Sequence, residues 1–177
     1  WTPLMRATEK KDLETARYLI SQGANLDIGI SGHKNFATNK FLEAQNNSVA
    51  GFFDKLLPLD EYKFGWTALM LACAEKDLET VKLVVESGAS LDKKNNRGDT
   101  ALMIACMQTS SEKIMAYLLL KGAKIDFEDK SGRTAFLMAA AYRPDKEKSN
   151  VEKIRVMRKH FDIESKDSLG NTVLMTA

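Results

Sequence analysis

A phrase of eight residues that returns about every 33 residues is the feature that most constrains this chain. The phrase Trp-Thr-Ala-Leu-Met-Leu-Ala-Cys begins at Trp66, and related phrases begin at Asp99 and Arg133, which lie 33 and 34 residues further on in turn. Shortened copies open the chain at Trp1 and close it. A fixed period of this length indicates a repeat architecture, in which each unit buries its apolar face against its neighbours.

A second phrase recurs in phase with the first. It consists of Gly-Ala, a polar residue, an aliphatic residue and aspartate, and it begins at Gly23, Gly88 and Gly122. A glycine at this position can adopt the left-handed conformation that ends a helix. The threonine of the first phrase suits a helix N-cap. Each period is therefore predicted to contain a helix, a tight turn, a second helix and an extended turn.

Apolar residues within one period lie at helical spacing. Leu69, Ala72 and Cys73 occupy positions i, i+3 and i+4, which is one face of a helix. The small side chains of Ala72 and Cys73 allow a second helix to approach closely. A single unit would leave this face exposed to water, so the units are expected to stack on one another.

The two phrases also divide the chain into units. Thr2 and Thr67 lie 65 residues apart, which is nearly two periods, so residues 28–60 are either a degenerate repeat or a lid-like insertion. The polarity of residues 49–60 matches that of residues 81–92, which favours the degenerate repeat. We predict one domain, 1–177, made of a partial repeat (1–27), the segment 28–60, repeats at 61–93 and 94–127, a repeat with a lengthened loop (128–165) and a partial repeat (166–177).

The two phrases together, at this spacing, resemble the ankyrin repeat. The resemblance implies an all-α solenoid of stacked helix-turn-helix units joined by β-turn or hairpin fingers. One departure concerns the residue after Thr-Pro-Leu, where the family commonly has a histidine that ties neighbouring units together by hydrogen bonds. This chain has methionine at that position in Met5, Met70 and Met103, and leucine in Leu137. We therefore expect apolar packing to hold adjacent units together there.

Composition excludes several classes of protein. Lys and Arg number 26 against 24 Asp and Glu, and this net charge of +2 gives no basic field for nucleic acid. No apolar run approaches the roughly 18 residues of a membrane span. Two unpaired cysteines favour a reducing compartment. We expect a cytoplasmic or nuclear protein, which includes an effector that acts inside a host cell.

No arrangement of residues predicts catalysis or a cofactor. His33 and His160 match no metal-ligand spacing, and no cofactor or small-molecule substrate is expected. Cys73 and Cys106 fall at the same position of adjacent units, where stacked helices lie about 8–10 Å apart, so we interpret them as core residues. The basic stretch that contains Lys153 is interpreted as a solvated outer face.

The resemblance implies that a partner protein docks on the concave side, against the finger turns and the first helices. Trp66 either contributes to this surface or packs on the neighbouring turn. The predicted partner-binding residues are Lys63, Trp66, Glu75, Lys94, Asn96, Arg97, Asp99, Gln108, Phe127, Lys130, Arg133, Tyr142 and Leu169.

The predicted function is that of a protein–protein interaction module. Two alternatives share the same fold: a docking or regulatory arm of a larger multidomain enzyme, and a structural spacer in a large assembly. Because the prediction rests on architecture, it names no partner.

Overall fold

A computed structural model of the chain describes residues 1–30, 65–140 and 147–158. Within these ranges the chain forms eight helices and one isolated antiparallel bridge, between Glu128 and Thr134. The all-α class is confirmed. The helices are α1 (Pro3–Glu9), α2 (Leu13–Ser21), α3 (Ala68–Ala74), α4 (Leu78–Glu86), α5 (Ala101–Met107), α6 (Glu112–Leu120), α7 (Ala135–Ala140) and α8 (Glu147–Arg158).

The helices form two parallel rows. The odd-numbered helices are the first helices of the units, and α1 packs against α3, α3 against α5 and α5 against α7. The second helices make the other row, in which α2 contacts α4, α4 contacts α6 and α6 contacts α8. Side chains from Leu69 to Cys73 and from Leu102 to Cys106 are at most 1% exposed, so the first helices are buried on nearly all sides. This stack is the predicted solenoid.

Methionine has a second role at the position where the family commonly has histidine. The hydroxyl of Thr100 accepts a hydrogen bond from the backbone N–H of Met103, and the thioether Sδ of Met103 accepts one from the backbone N–H of Thr100, each at 3.4 Å. The same reciprocal pair starts α1 and α3. This is a capping box in which sulfur replaces the usual Glu or Gln acceptor. Met103 is fully buried, so the predicted apolar packing is present together with the cap.

A tight turn joins the two helices of a unit. Lys11, Lys76 and Ser110 each adopt a positive φ there, between 56° and 58°. In the two turns that contain lysine, the next residue is an aspartate that caps the second helix: Asp77 accepts a hydrogen bond from the backbone N–H of Thr80 at 3.3 Å. The aspartate satisfies one of the N–H groups that a helix start leaves without a partner.

The first unit stacks directly on the unit that contains α3 and α4. The Asp27 carboxylate accepts a hydrogen bond from the Ser90 backbone N–H at 3.0 Å, and Asp92 makes the same bond to Lys124 in the next unit at 2.9 Å. Residue 30 also exchanges two backbone hydrogen bonds with residues 65 and 66. The units at 1–27 and 61–93 are therefore neighbours in the stack.

The choice between a degenerate repeat and a lid-like insertion for residues 28–60 stays a prediction. Residues 31–64 themselves lie outside the described part of the chain. The unit boundaries stay predictions, and those at 60, 61, 165 and 166 lie outside the described residues.

Both cysteines are free and buried, as expected for core residues. Burial raises the pKa of the Cys73 and Cys106 thiols, the latter to about 12, so both are protonated at neutral pH. The Sγ of Cys106 lies 4.0 Å from the Sδ of Met157 on α8. These thiols serve packing.

The interpretation of Lys153 as part of a solvated face is wrong. Its side chain is only 2% exposed, and its Nζ donates a hydrogen bond to the backbone carbonyl of Cys106 at 2.7 Å. That carbonyl belongs to the last turn of α5, where a cation interacts favourably with the helix dipole. Arg155 and Arg158 of the same stretch are exposed, as predicted. Lys153 thus ties the last described helix to the preceding unit.

Replacing Lys153 by alanine tests this tie. Lys153→Ala removes a buried side chain and leaves the Cys106 carbonyl without this donor, so we expect a loss of about 2–3 kcal/mol in the free energy of unfolding. Arg155→Ala on the same helix is the matched control and should cost less than about 0.5 kcal/mol, because that side chain is exposed. Urea unfolding followed by circular dichroism measures both. Equal effects of the two substitutions would contradict the structure.

Candidate partner-binding edge

The finger between α4 and α5 is a turn built around one asparagine. The side-chain Oδ1 of Asn95 accepts hydrogen bonds from the backbone N–H groups of Arg97 and Asp99, at 2.8 and 2.9 Å. Its Nδ2 donates to the carboxylate of Asp99 at 3.0 Å. The backbone N–H of Asn95 also donates to the carbonyl of Asp99, which closes the turn. The buried polar groups therefore hold the turn from inside.

Asp129 has the same role in the finger between α6 and α7. Its Oδ1 accepts from the backbone N–H groups of Ser131 and Arg133, at 2.8 and 2.9 Å, and its Oδ2 accepts from the Arg133 guanidinium at 2.9 and 2.7 Å. Burial alone would raise the pKa of Asp129, but the hydrogen bonds from Arg133 and Ser131 outweigh it and lower that pKa. The carboxylate stays ionised at neutral pH, and both of its oxygens accept hydrogen bonds from groups of its own turn.

Consecutive fingers are joined to each other. The backbone N–H of Lys130 donates to the carbonyl of Arg97 at 2.9 Å, and the Nζ of Lys94 donates to the carbonyl of Glu128 at 3.1 Å. Gly98 permits this approach: it has φ +86°, and a Cβ atom there would lie 2.9 Å from the Lys130 nitrogen. The two fingers thus form one continuous edge, which we call the finger edge and define as residues 92–99 and 124–133.

An aromatic ring lies within the finger edge between two cations. The Nζ of Lys94 lies 4.6 Å from the centre of the Phe127 ring, and the Nζ of Lys124 lies 5.4 Å from it. Both distances are within the range of cation–π attraction. The ring is half-buried, so part of it contacts water beside two exposed ammonium groups.

The structure divides the predicted partner-binding residues into four groups: exposed, half-buried, buried, and outside the described residues. Five side chains are exposed on the finger edge, and three others, one on the edge and two at the ends of first helices, are half-buried, so all eight are available to a partner. The exposed residues are Lys94, Asn96, Arg97, Lys130 and Arg133, and the half-buried residues are Glu75, Gln108 and Phe127. Lys63, Tyr142 and Leu169 lie outside the described residues.

Two of the predicted residues do not reach the surface. Trp66 is 3% exposed and belongs to the hydrophobic core, and its carbonyl accepts the backbone N–H of Ile30 at 2.9 Å. This burial agrees with the second interpretation of Trp66, in which it packs on the neighbouring turn instead of contributing to the binding surface. Asp99 is 1% exposed and holds the finger turn together with Asn95. Neither side chain is therefore available to a partner.

Sequence reasoning missed two exposed lysines, Lys93 and Lys124. Lys124 is the variable residue of the Gly-Ala phrase, which the repeat pattern assigns to the end of the second helix. Its backbone N–H bonds to Asp92 of the preceding unit, which brings its side chain to Phe127. A basic residue at each end of the extended turn was the sequence feature that could have identified these two lysines.

Among the described residues, no cluster of His, Cys, Asp and Glu could hold a metal ion. None of the helices in the described ranges combines the length and the apolar character that crossing a membrane requires.

Comparison with known families agrees with this architecture. A model for ankyrin repeats in three copies matches residues 40–129, and a model for a single ankyrin repeat matches residues 1–29. The chain belongs to the ankyrin-repeat family. The first of these matches begins inside the segment 28–60, so part of that segment has a repeat-like sequence although α1 and α3 are in direct contact.

Several curated proteins are similar to parts of this ankyrin-repeat chain. An ankyrin repeat protein of fowlpox virus is 27% identical over 133 residues, which are 75% of this chain and 31% of that protein. The mouse ankyrin repeat and SAM domain-containing protein 6 is 42% identical over 85 residues, 47% of this chain and 10% of that protein. The human transient receptor potential cation channel subfamily A member 1 is 28% identical over 118 residues, which are 63% of this chain and 10% of that protein. The chain thus spans a third or less of these relatives.

Two glycines with positive φ provide a test of the finger contact. Gly98 and Gly88 have φ of +86° and +94°, but only Gly98 is close to a neighbouring backbone, since nothing lies within 4 Å of a Cβ built on Gly88. We expect Gly88→Ala to cost about 1 kcal/mol of stability through its left-handed backbone. Gly98→Ala should cost about 2–3 kcal/mol, because it also pushes the fingers apart. Thermal unfolding compares the two, and a larger loss at Gly88 would contradict the finger contact.

Proposed function

We propose that this chain is a protein–protein interaction module that binds its partner through the finger edge. The observation that carries the proposal is the way the edge is built. Its polar backbone is held from inside by Asn95 and Asp129, so the side chains that point outward are positioned before a partner arrives. A preorganised surface loses less conformational entropy on binding than a flexible loop does.

Glu75 and Gln108 extend the proposed surface from the fingers to the first helices. They are the C-cap residues of α3 and α5, which are neighbours in the stack, and both are half-buried. Arg97, Arg133 and Phe127 are of the types that dominate the energetics of interfaces. Trp66 and Asp99 are not part of the proposed contact surface, because their side chains are buried.

A second candidate function is that of a docking or regulatory arm within a longer protein. It is supported by the small fraction of each relative's length that the chain matches, which is 10–31%. A spacer in a large assembly uses the same stack without a partner at the fingers. We propose no catalytic step for the chain. The free thiols support a reducing compartment, the cytosol or nucleus.

Bulky neutral substitutions at the finger tips test the module. Asn96 and Ser131 are exposed on adjacent fingers, so Asn96→Tyr combined with Ser131→Tyr obstructs the edge without changing its charge. The control is Gln22→Tyr combined with Ala116→Tyr, at exposed neutral positions by the second helices. Affinity capture from the source cell, read by quantitative mass spectrometry, compares each with the native chain after circular dichroism shows equal helicity.

We expect the finger variant to lose at least one partner about tenfold, and the control variant to keep it. If both variants capture the same proteins as the native chain, binding does not use the finger edge. The spacer would then be the better supported function.

A further inference from the structure

Burial separates the charges of the finger edge by sign. Six basic side chains are exposed there and only one acidic side chain, Asp126, is exposed. The exposed basic residues are Lys93, Lys94, Arg97, Lys124, Lys130 and Arg133. Of the five acidic residues there, Asp99 and Asp129 are buried and bind the backbone or side chains of their own turns, and Asp92 and Glu128 are half-buried. A chain with a net charge of only +2 therefore presents a basic strip along one edge.

Three lysines of this strip differ from its arginines in having no ion-pair partner among the described residues. Arg97 and Arg133 form ion pairs with the buried carboxylates of Asp99 and Asp129, at 3.8 and 2.7 Å. Among the described residues, no carboxylate forms such a pair with Lys94, Lys124 or Lys130. Lys94 bonds to a neutral carbonyl, which fixes its ammonium group above Phe127 without cancelling its charge.

We propose that the finger edge binds an acidic segment of a partner polypeptide, which places carboxylates at Lys94, Lys124 and Lys130 and an apolar group on Phe127. This inference rests on the proposed interaction function and adds the chemistry of the partner. Complementary charge steers association and selects among partners. The exposed part of the Phe127 ring adds an apolar contact that a purely ionic surface lacks.

A peptide fits this edge better than nucleic acid does. Asp126 and the half-buried Glu128 lie between the lysines, and Asp92 lies at the start of the strip. A nucleic acid strand carries a phosphate at every step and would meet these carboxylates. A polypeptide can place its acidic residues only where the lysines are. Because the contacts are exposed, the binding should weaken as salt screens it.

A direct titration tests the proposal. The full chain is added to a short fluorescein-labelled peptide of alternating glutamate and serine, and binding is followed by fluorescence anisotropy at low and at physiological salt. The comparison probes are the same peptide with glutamine in place of glutamate, and a single-stranded oligonucleotide of equal formal charge. A charge-reversal variant of the fingers carries Lys94→Glu and Lys130→Glu. Its control carries Arg17→Glu and Lys113→Glu, which reverse exposed charges on α2 and α6 and change the net charge equally.

We expect the glutamate peptide to bind at least tenfold more tightly than the glutamine peptide. The charge-reversal variant of the fingers should weaken that binding about tenfold, since each exposed ion pair contributes up to about fivefold. The control variant should weaken it less than twofold. Equal losses in both variants would show that only net charge matters and would overturn the proposal. So would tighter binding of the oligonucleotide, or no binding of the glutamate peptide.

The result is separable from the test of the interaction function. If the tyrosine variant of the fingers loses its captured partners while the glutamate peptide does not bind, the finger edge remains an interface and the acidic partner is wrong. If the tyrosine variant loses nothing and the peptide does not bind, both proposals fail.

Discussion

The burial of the first helices is the constraint on which the rest of this structure depends. Leu102, Met103 and Ile104 have no exposed surface, and α5 is covered by α3 on one side and by α7 on the other. Burying a large aliphatic side chain stabilises a protein by about 1.5–3 kcal/mol, and here each such side chain needs a neighbouring unit to bury it. No unit is complete alone, so the order of the units fixes the position of every turn between them.

The finger edge follows from that stacking. Because each unit repeats at nearly the same spacing, Asp27 bonds to the backbone of the next unit as Asp92 does, and successive fingers come close enough for Lys130 to bond to Arg97. The turns then need acceptors for their own N–H groups, and Asn95 and Asp129 supply them from inside. The carboxylates of Asp99 and Asp129 are buried in these turns, whereas the basic side chains of the same turns stay exposed.

Periodicity predicted two helices per unit, the threonine caps, the glycine helix ends and the all-α class, because these depend on local spacing and on the conformational preferences of threonine and glycine. It could not predict the burial of Trp66 or Lys153. Trp66 occupies the position of exposed Arg133 in a later unit, and its side chain belongs to the same core cluster as Ile30, which is distant in sequence. In the sequence Lys153 is one member of a basic stretch. Its hydrogen-bond partner, the Cys106 carbonyl, belongs to the preceding unit and is distant in sequence. Lys94, Asn96, Arg97, Lys130 and Arg133 are exposed on the fingers, and their predicted role in binding stays a prediction.

The most direct test of this account is the distance between equivalent second helices. Ser21, Glu86 and Leu120 are exposed at equivalent positions of α2, α4 and α6, and each can carry a spin label after substitution by cysteine, since the native thiols are buried. Electron paramagnetic resonance then compares the pair at 21 and 86 with the pair at 86 and 120. If the first unit stacks directly on the second, the two distances agree, near the separation of about 10 Å for packed helices. A first distance about twice the second would show another unit between them and contradict the stacking order.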